Sequence, residues 1–143
     1  MGLFEDLTSG DPQRIWSASC AVRTSRNMAE LEALAGRIEE IRAKTKGVAL
    51  GGAFRPNASH LAFAIRKLQF VRDSGGCLCE LYPEDEMFNP EAERDSGNVR
   101  ILETLVDEAR QTVTHRCRCV ACGQSYRVEE RQYHYTWWAW TRA

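Results

Sequence analysis

The sequence predicts an α+β protein in which N-terminal helices pack on a C-terminal antiparallel sheet. Three observations predict it. Apolar residues recur at helical spacing through the first half, β-branched, aromatic and alternating residues dominate the second, and the second half also holds two close cysteine pairs. At 143 residues the chain has the size of one domain, so residues 1–75 and 76–143 are expected to form a helical part and a β part of one compact whole.

The helices follow in order. Asp11 before Pro12 makes an N-cap and first-turn pair, after which Ile15, Trp16, Ser19 and Val22 fall on one stripe. Asn27 with Glu30 three residues on has the spacing of a capping box, and Met28, Leu31, Leu34, Ala35, Ile38 and Ile41 extend a long amphipathic helix from it. Glu39, Glu40, Arg42 and Lys44 lie largely off that stripe and read as a solvated face. Residues 45–56, with three glycines and a proline, break the pattern. Asn57 then caps a third helix carrying Leu61, Ala64, Ile65 and Leu68, which ends near Ser74, Gly75 and Gly76.

Residues 77–82, 99–106, 112–120 and 125–140 read as strands, with short turns between the later ones, and a meander is the simplest topology. The connection over 83–98 is long, polar and acidic and is expected at the surface.

Composition bounds the function. Hydrophobic residues at 43%, charged residues at 27% and a net charge of -1 exclude a disordered chain and a uniformly basic nucleic-acid binder. No apolar run approaches the roughly 20 residues that cross a bilayer, residues 1–11 lack the regions of a signal peptide, and Asp6 occupies a position where myristoylation wants Ser or Thr. A cytoplasmic protein with no membrane partner is expected. Charge is unevenly placed: residues 1–75 hold 11 Lys+Arg and 8 Asp+Glu (+3), and residues 76–143 hold 8 and 12 (-4). Glu80 to Glu108 carries ten acids against Arg94 and Arg100, a stretch that repels phosphate and attracts a basic partner.

The cysteines carry the chemistry. Cys119 and Cys122 form a C-x-x-C followed at once by Gly123, within strand, tight turn and strand, and this resembles the zinc knuckle of zinc-ribbon proteins. The spacing lets two thiolates converge at about 2.3 Å on one ion while turn N–H groups face the sulfurs. Cys77 and Cys79, on one strand face some way upstream, supply a second pair. Cys77, Cys79, Cys119 and Cys122 are therefore the expected ligands of one structural Zn2+, with Cys117, on the same face as Cys119, as an alternate. Plain buried thiols or a redox pair are the competing readings. Cys20 reads as a small core residue.

A closed four-thiolate site leaves no position for water, so no catalysis is expected from it. The zinc-deaminase pattern is missing in both halves, since Leu61 and Ala62 follow His60 and Arg118 stands where proline is required. A thioredoxin-type pair would open a helix, whereas Gly123 and a strand follow Cys122. His60, His115 and His134 have no partner at ligand spacing, and Gly51 and Gly52 make no phosphate loop.

Residues 133–140 place aromatics on both faces of a strand. Two-sided burial is the plainer reading; the sharper one makes Trp137, Trp138 and Trp140 anchors for a protein partner. A small chain with helices, a cysteine-clamped sheet and an acidic, aromatic surface resembles the immunity proteins of bacterial polymorphic-toxin systems. That resemblance implies inhibition of a cognate toxin, with Glu84, Asp85, Glu86, Glu91, Glu93 and Asp95 facing its basic surface. The alternative is a zinc-ribbon nucleic-acid or transcription-associated module. Arg110, Arg116, Arg118, Arg127 and Arg131 would serve it if they share a face, as alternation requires of Arg116 and Arg118. The -4 of this half and a pI of about 6.3 weigh against nucleic acid.

Overall fold

The computed structural model describes residues 2–53 and 55–143, and the chain divides into two units, Met1–Gly75 and Gly76–Ala143. Met1, at the head of the stretch read for a leader, and Phe54, inside the break over 45–56, lie outside the described residues. No helix is long and apolar enough to cross a membrane among the described residues.

The first unit is helical: α1 (Leu3–Leu7), α2 (Pro12–Thr24), α3 (Met28–Ala35), α4 (Ile38–Thr45) and α5 (Asn57–Asp73). Two of the three predicted caps form. Asp11 accepts from the Gln13 N–H with Pro12 in the first turn, and Asn27 accepts from the Glu30 N–H. The helix expected to run unbroken from Asn27 is instead two, because Gly36, whose backbone is costly to order in a helix, caps α3 and Arg37 leaves helical geometry before α4 starts. Asn57 is the first residue of α5 rather than its cap, and its side-chain N–H donates to the Leu50 carbonyl at 3.0 Å. Ile15, Val22, Leu31, Ile38, Ile41 and Leu68 are fully buried in this core, while Cys20 is half-buried on α2. Lys67 is buried with them, its ammonium donating to the Arg23 and Ser25 carbonyls that end α2.

The second unit is a four-stranded antiparallel meander, β1 (Val99–Asp107), β2 (Thr112–Cys119), β3 (Ser125–Gln132) and β4 (Thr136–Arg142), in sequence order. The final aromatic run is two strands and not one: a turn at residues 133–135, with the Tyr133 N–H donating to the Tyr135 carbonyl, reverses the chain and puts His134 in the turn. Alternation divides the sheet cleanly. His115, Cys117, Cys119, Tyr126, Val128 and Trp140 are buried on one face, and Arg116, Arg118 and Arg127 are exposed on the other.

The segment before the sheet overturns two expectations. Residues 77–82 do not form a strand; they enter a 3₁₀ helix, Leu78–Glu84, which begins with the Glu80 N–H donating to the Cys77 carbonyl. Residues 83–98 are not a simple surface loop either, since they contain α6 (Pro90–Asp95) and bury Asp85, Phe88, Pro90 and Glu93. Together these pieces cover the buried face. Tyr82 stacks on Trp140 with centroids 4.2 Å apart, and the Glu86 carbonyl accepts the Trp138 N–H on the outer edge of β4. That contact blunts an edge otherwise open to another strand.

Candidate metal centre

Four cysteines from two places in the chain converge at one end of the sheet. Cys77 precedes the 3₁₀ helix and Cys79 lies in its first turn; Cys119 ends β2 and Cys122 lies in the turn to β3. Their sulfurs all lie within 4.8 Å of one another, with Cys77 to Cys119 at 3.7 Å and Cys79 to Cys122 at 3.4 Å. Thiolates at about 2.3 Å from a tetrahedral ion stand about 3.8 Å apart, so the set fits a four-sulfur centre with little movement. All six cysteines of the chain are free thiols.

Local backbone produces each half of the cluster. In the β2–β3 turn the Gly123 N–H donates to the Cys119 carbonyl and the Cys119 N–H to the Gln124 carbonyl, and Gly123 takes φ of 81°, a conformation that favours glycine. The N–H groups of Cys122 and Ala121 then point at the Cys119 sulfur. Cys77 receives the Cys79 N–H in the same manner, which a strand would not permit and a 3₁₀ start does. A C-x-C spacing thus does the work of a knuckle by curling rather than extending.

Electrostatics separates Cys119 from Cys77 and Cys79. Burial pushes Cys77 and Cys79 up, because charge in a dry site is unfavourable. Burial opposes ionisation of Cys119 too, but the Cys122 and Ala121 N–H groups and the thiols of Cys77 and Cys79 outweigh it and hold Cys119 below the ordinary thiol range. Three thiols whose ionisation burial opposes, converging with Cys122 on one point, form a site for a cation that supplies the missing charge.

Cys117, the alternate ligand, lies outside this cluster. It is fully buried on the covered face of β2, where burial alone pushes its thiol up to about 11. Tyr126 was not singled out in the sequence, yet its buried hydroxyl donates to the Cys79 carbonyl at 2.9 Å and to the Cys79 sulfur at 3.2 Å. Only the cross-strand pairing of Tyr126 with Cys117 reveals that it faces the cluster side of the sheet. Such outer partners orient ligands and typically change metal affinity about 10–100-fold. Tyr126→Phe is expected to weaken metal binding about tenfold in competition with a chromophoric chelator; an unchanged affinity would remove Tyr126 from the centre.

The residues expected to meet a partner divide. Glu84, Glu91 and Asp95 are exposed, and Arg94 pairs with Asp95 at 3.1 Å. Asp85 and Glu93 are buried: Asp85 accepts from the Met87 N–H, and Glu93 accepts from the Tyr82 hydroxyl at 2.6 Å and from Asn98. Glu86 is half-buried and accepts from the Tyr135 hydroxyl. Trp140 is buried, its indole N–H donating to the Phe88 carbonyl at 2.9 Å, whereas Trp137 and Trp138 are half-buried. Asp85, Glu93 and Trp140, expected at a partner surface, are therefore buried in the core. Acidic composition reads as solvated unless the internal donors, here Tyr82 and Asn98, are visible.

The arginines share a face more fully than alternation alone required. Arg116, Arg118 and Arg127 stand together, Arg131 and Trp137 lie on the same side, and Arg100, directly opposite Arg118, joins them. Arg110 sits in the β1–β2 turn beside Asp107. Comparison of the chain with protein-family models, with curated proteins and with solved structures finds no match.

Proposed function

We propose that the protein is a non-catalytic binding module whose sheet is clamped by one structural zinc ion held by Cys77, Cys79, Cys119 and Cys122. The observation that carries this reading is the convergence of four sulfurs within 4.8 Å from a 3₁₀ start and a strand turn. An all-sulfur tetrahedral donor set suits zinc, and thiols kept for a metal belong in a reducing compartment such as the cytoplasm. When bound, the ion supplies charge neutralisation and a cross-link; the chain's own residues supply the rest. The turn N–H groups hold the sulfurs in place, Tyr126 orients Cys79, and Tyr82, Tyr126 and Trp140 pack the sheet behind them.

As a toxin inhibitor this scaffold would dock through Glu84, Glu91 and Asp95, the exposed ones among the six acids expected to face a partner. Cobalt substitution tests the non-catalytic reading. The cobalt-loaded protein is expected to give the intense visible absorption of a tetrahedral thiolate complex, unchanged by added azide or cyanide. A spectrum that shifts with those anions would mean an open coordination position and would overturn the reading.

A further inference from the structure

We infer that the open face of the sheet is a docking surface for single-stranded nucleic acid, gripped through its phosphates; this rests on the reading of the protein as a binding module. Five of the eight arginines of residues 76–143 project from that face: Arg100, Arg116, Arg118, Arg127 and Arg131. All five are exposed. The surrounding half of the chain is acidic, so this concentration is a segregation of charge and not a reflection of composition.

The pairing is what points to a ligand. Arg100 stands directly opposite Arg118 across β1 and β2, and Arg116 directly opposite Arg127 across β2 and β3. Like charges in directly opposed positions destabilise a sheet; Glu103 and Glu129 answer the Arg116–Arg127 pair, whereas no acid among the described residues answers Arg100–Arg118, which works against the fold unless an outside anion joins it. Glu103 lies 3.6 Å from Arg116, and Glu129 serves both Arg127 at 2.9 Å and Arg131 at 2.7 Å. Arg100 and Arg118 have no ion pair or hydrogen-bond partner for their guanidinium groups among the described residues. Their forked donors are left for an outside acceptor, and phosphate fits that geometry.

Two further features select a single strand. Trp137 lies on the same face with the Arg131 guanidinium 5.3 Å from its ring centroid, forming a platform on which a base stacks. Four strands at about 4.8 Å spacing make a face about 14 Å across before side chains, too broad to enter a major groove about 12 Å wide. A strand lying across the sheet meets the two arginine pairs in succession and reaches Trp137 at the far end.

The experiment is fluorescence anisotropy of the full-length, zinc-loaded protein with a short labelled oligothymidylate, a duplex of the same length and a polyglutamate peptide, each over a salt series. The single strand is expected to bind tightest, with affinity falling steeply as salt rises. The double variant Arg100→Gln, Arg118→Gln is expected to bind at least tenfold more weakly, with a log–log salt slope shallower by about 1.4, two lost phosphate contacts on a single strand. It should keep its zinc and melt no lower than the parent, because one like-charge pair is relieved. Absence of oligothymidylate binding at low salt, an unaltered double variant, or tighter binding of the duplex or of polyglutamate each overturns the inference. Zinc content read on the same samples separates these outcomes from failure of the metal centre.

Discussion

Cys122→Ser is expected to unfold the sheet of residues 76–143, seen as loss of its melting transition together with loss of bound zinc. Serine nearly preserves shape but is a poor zinc ligand. Structural zinc contributes about 10–16 kcal/mol of apparent binding free energy in small zinc-folded peptides, comparable to or larger than the about 5–15 kcal/mol that holds a whole domain. Cys122 is exposed, so the substitution removes little packing, and its effect reads metal ligation rather than core loss. Cys117→Ala supplies the contrast. That thiol is fully buried yet outside the cluster, so its loss is expected to cost about 1–2 kcal/mol while one zinc per chain remains. Were Cys117→Ala to lose the metal and Cys122→Ser to keep it, the ligand set would be wrong.

Trp140→Ala is expected to destabilise the second unit by about 3–5 kcal/mol, the range for deleting a large buried aromatic. Trp140 is 3% exposed, stacks on Tyr82, meets Tyr126 edge-on at 5.7 Å and donates its indole N–H to the Phe88 carbonyl. Truncation opens a cavity under the 3₁₀ helix and leaves that carbonyl without its donor. Trp137→Ala, on the open face, is expected to cost under about 1 kcal/mol, as a half-exposed side chain should. Urea denaturation of both variants checks the pair. Equal costs would mean that the two faces of β4 are not divided between core and solvent.

Much of this was legible in the sequence, for identifiable reasons. Asp11–Pro12 and Asn27 set helix starts because capping is a local hydrogen-bond problem solved within three residues. The cysteine cluster was legible because C-x-x-C-Gly dictates its own turn. The conformation of Cys77 to Cys79 was not, since two residues at i and i+2 satisfy a strand face equally well, and the Glu80 N–H to Cys77 carbonyl bond that closes the 3₁₀ turn has no mark in the spacing. Burial of Asp85 and Glu93 was hidden for a related reason: their donors, the Met87 N–H, Tyr82 and Asn98, are close in sequence but become partners only when the segment folds back over the sheet. Arg100 needed register. Alternation joins Arg116 to Arg118 within one strand, but which residue of β1 or β3 lies opposite depends on turn geometry and on the irregularity between Ile101 and Glu103.

In the proposed reading four sulfurs hold one zinc ion, and that ion holds the sheet. Native mass spectrometry of the gently purified chain tests it most directly. The expected result is a narrow, folded charge-state distribution whose mass exceeds that of the bare chain by one zinc ion, and a shift to an unfolded distribution when a chelator strips it. A folded distribution at the bare mass, unmoved by chelator, would contradict it.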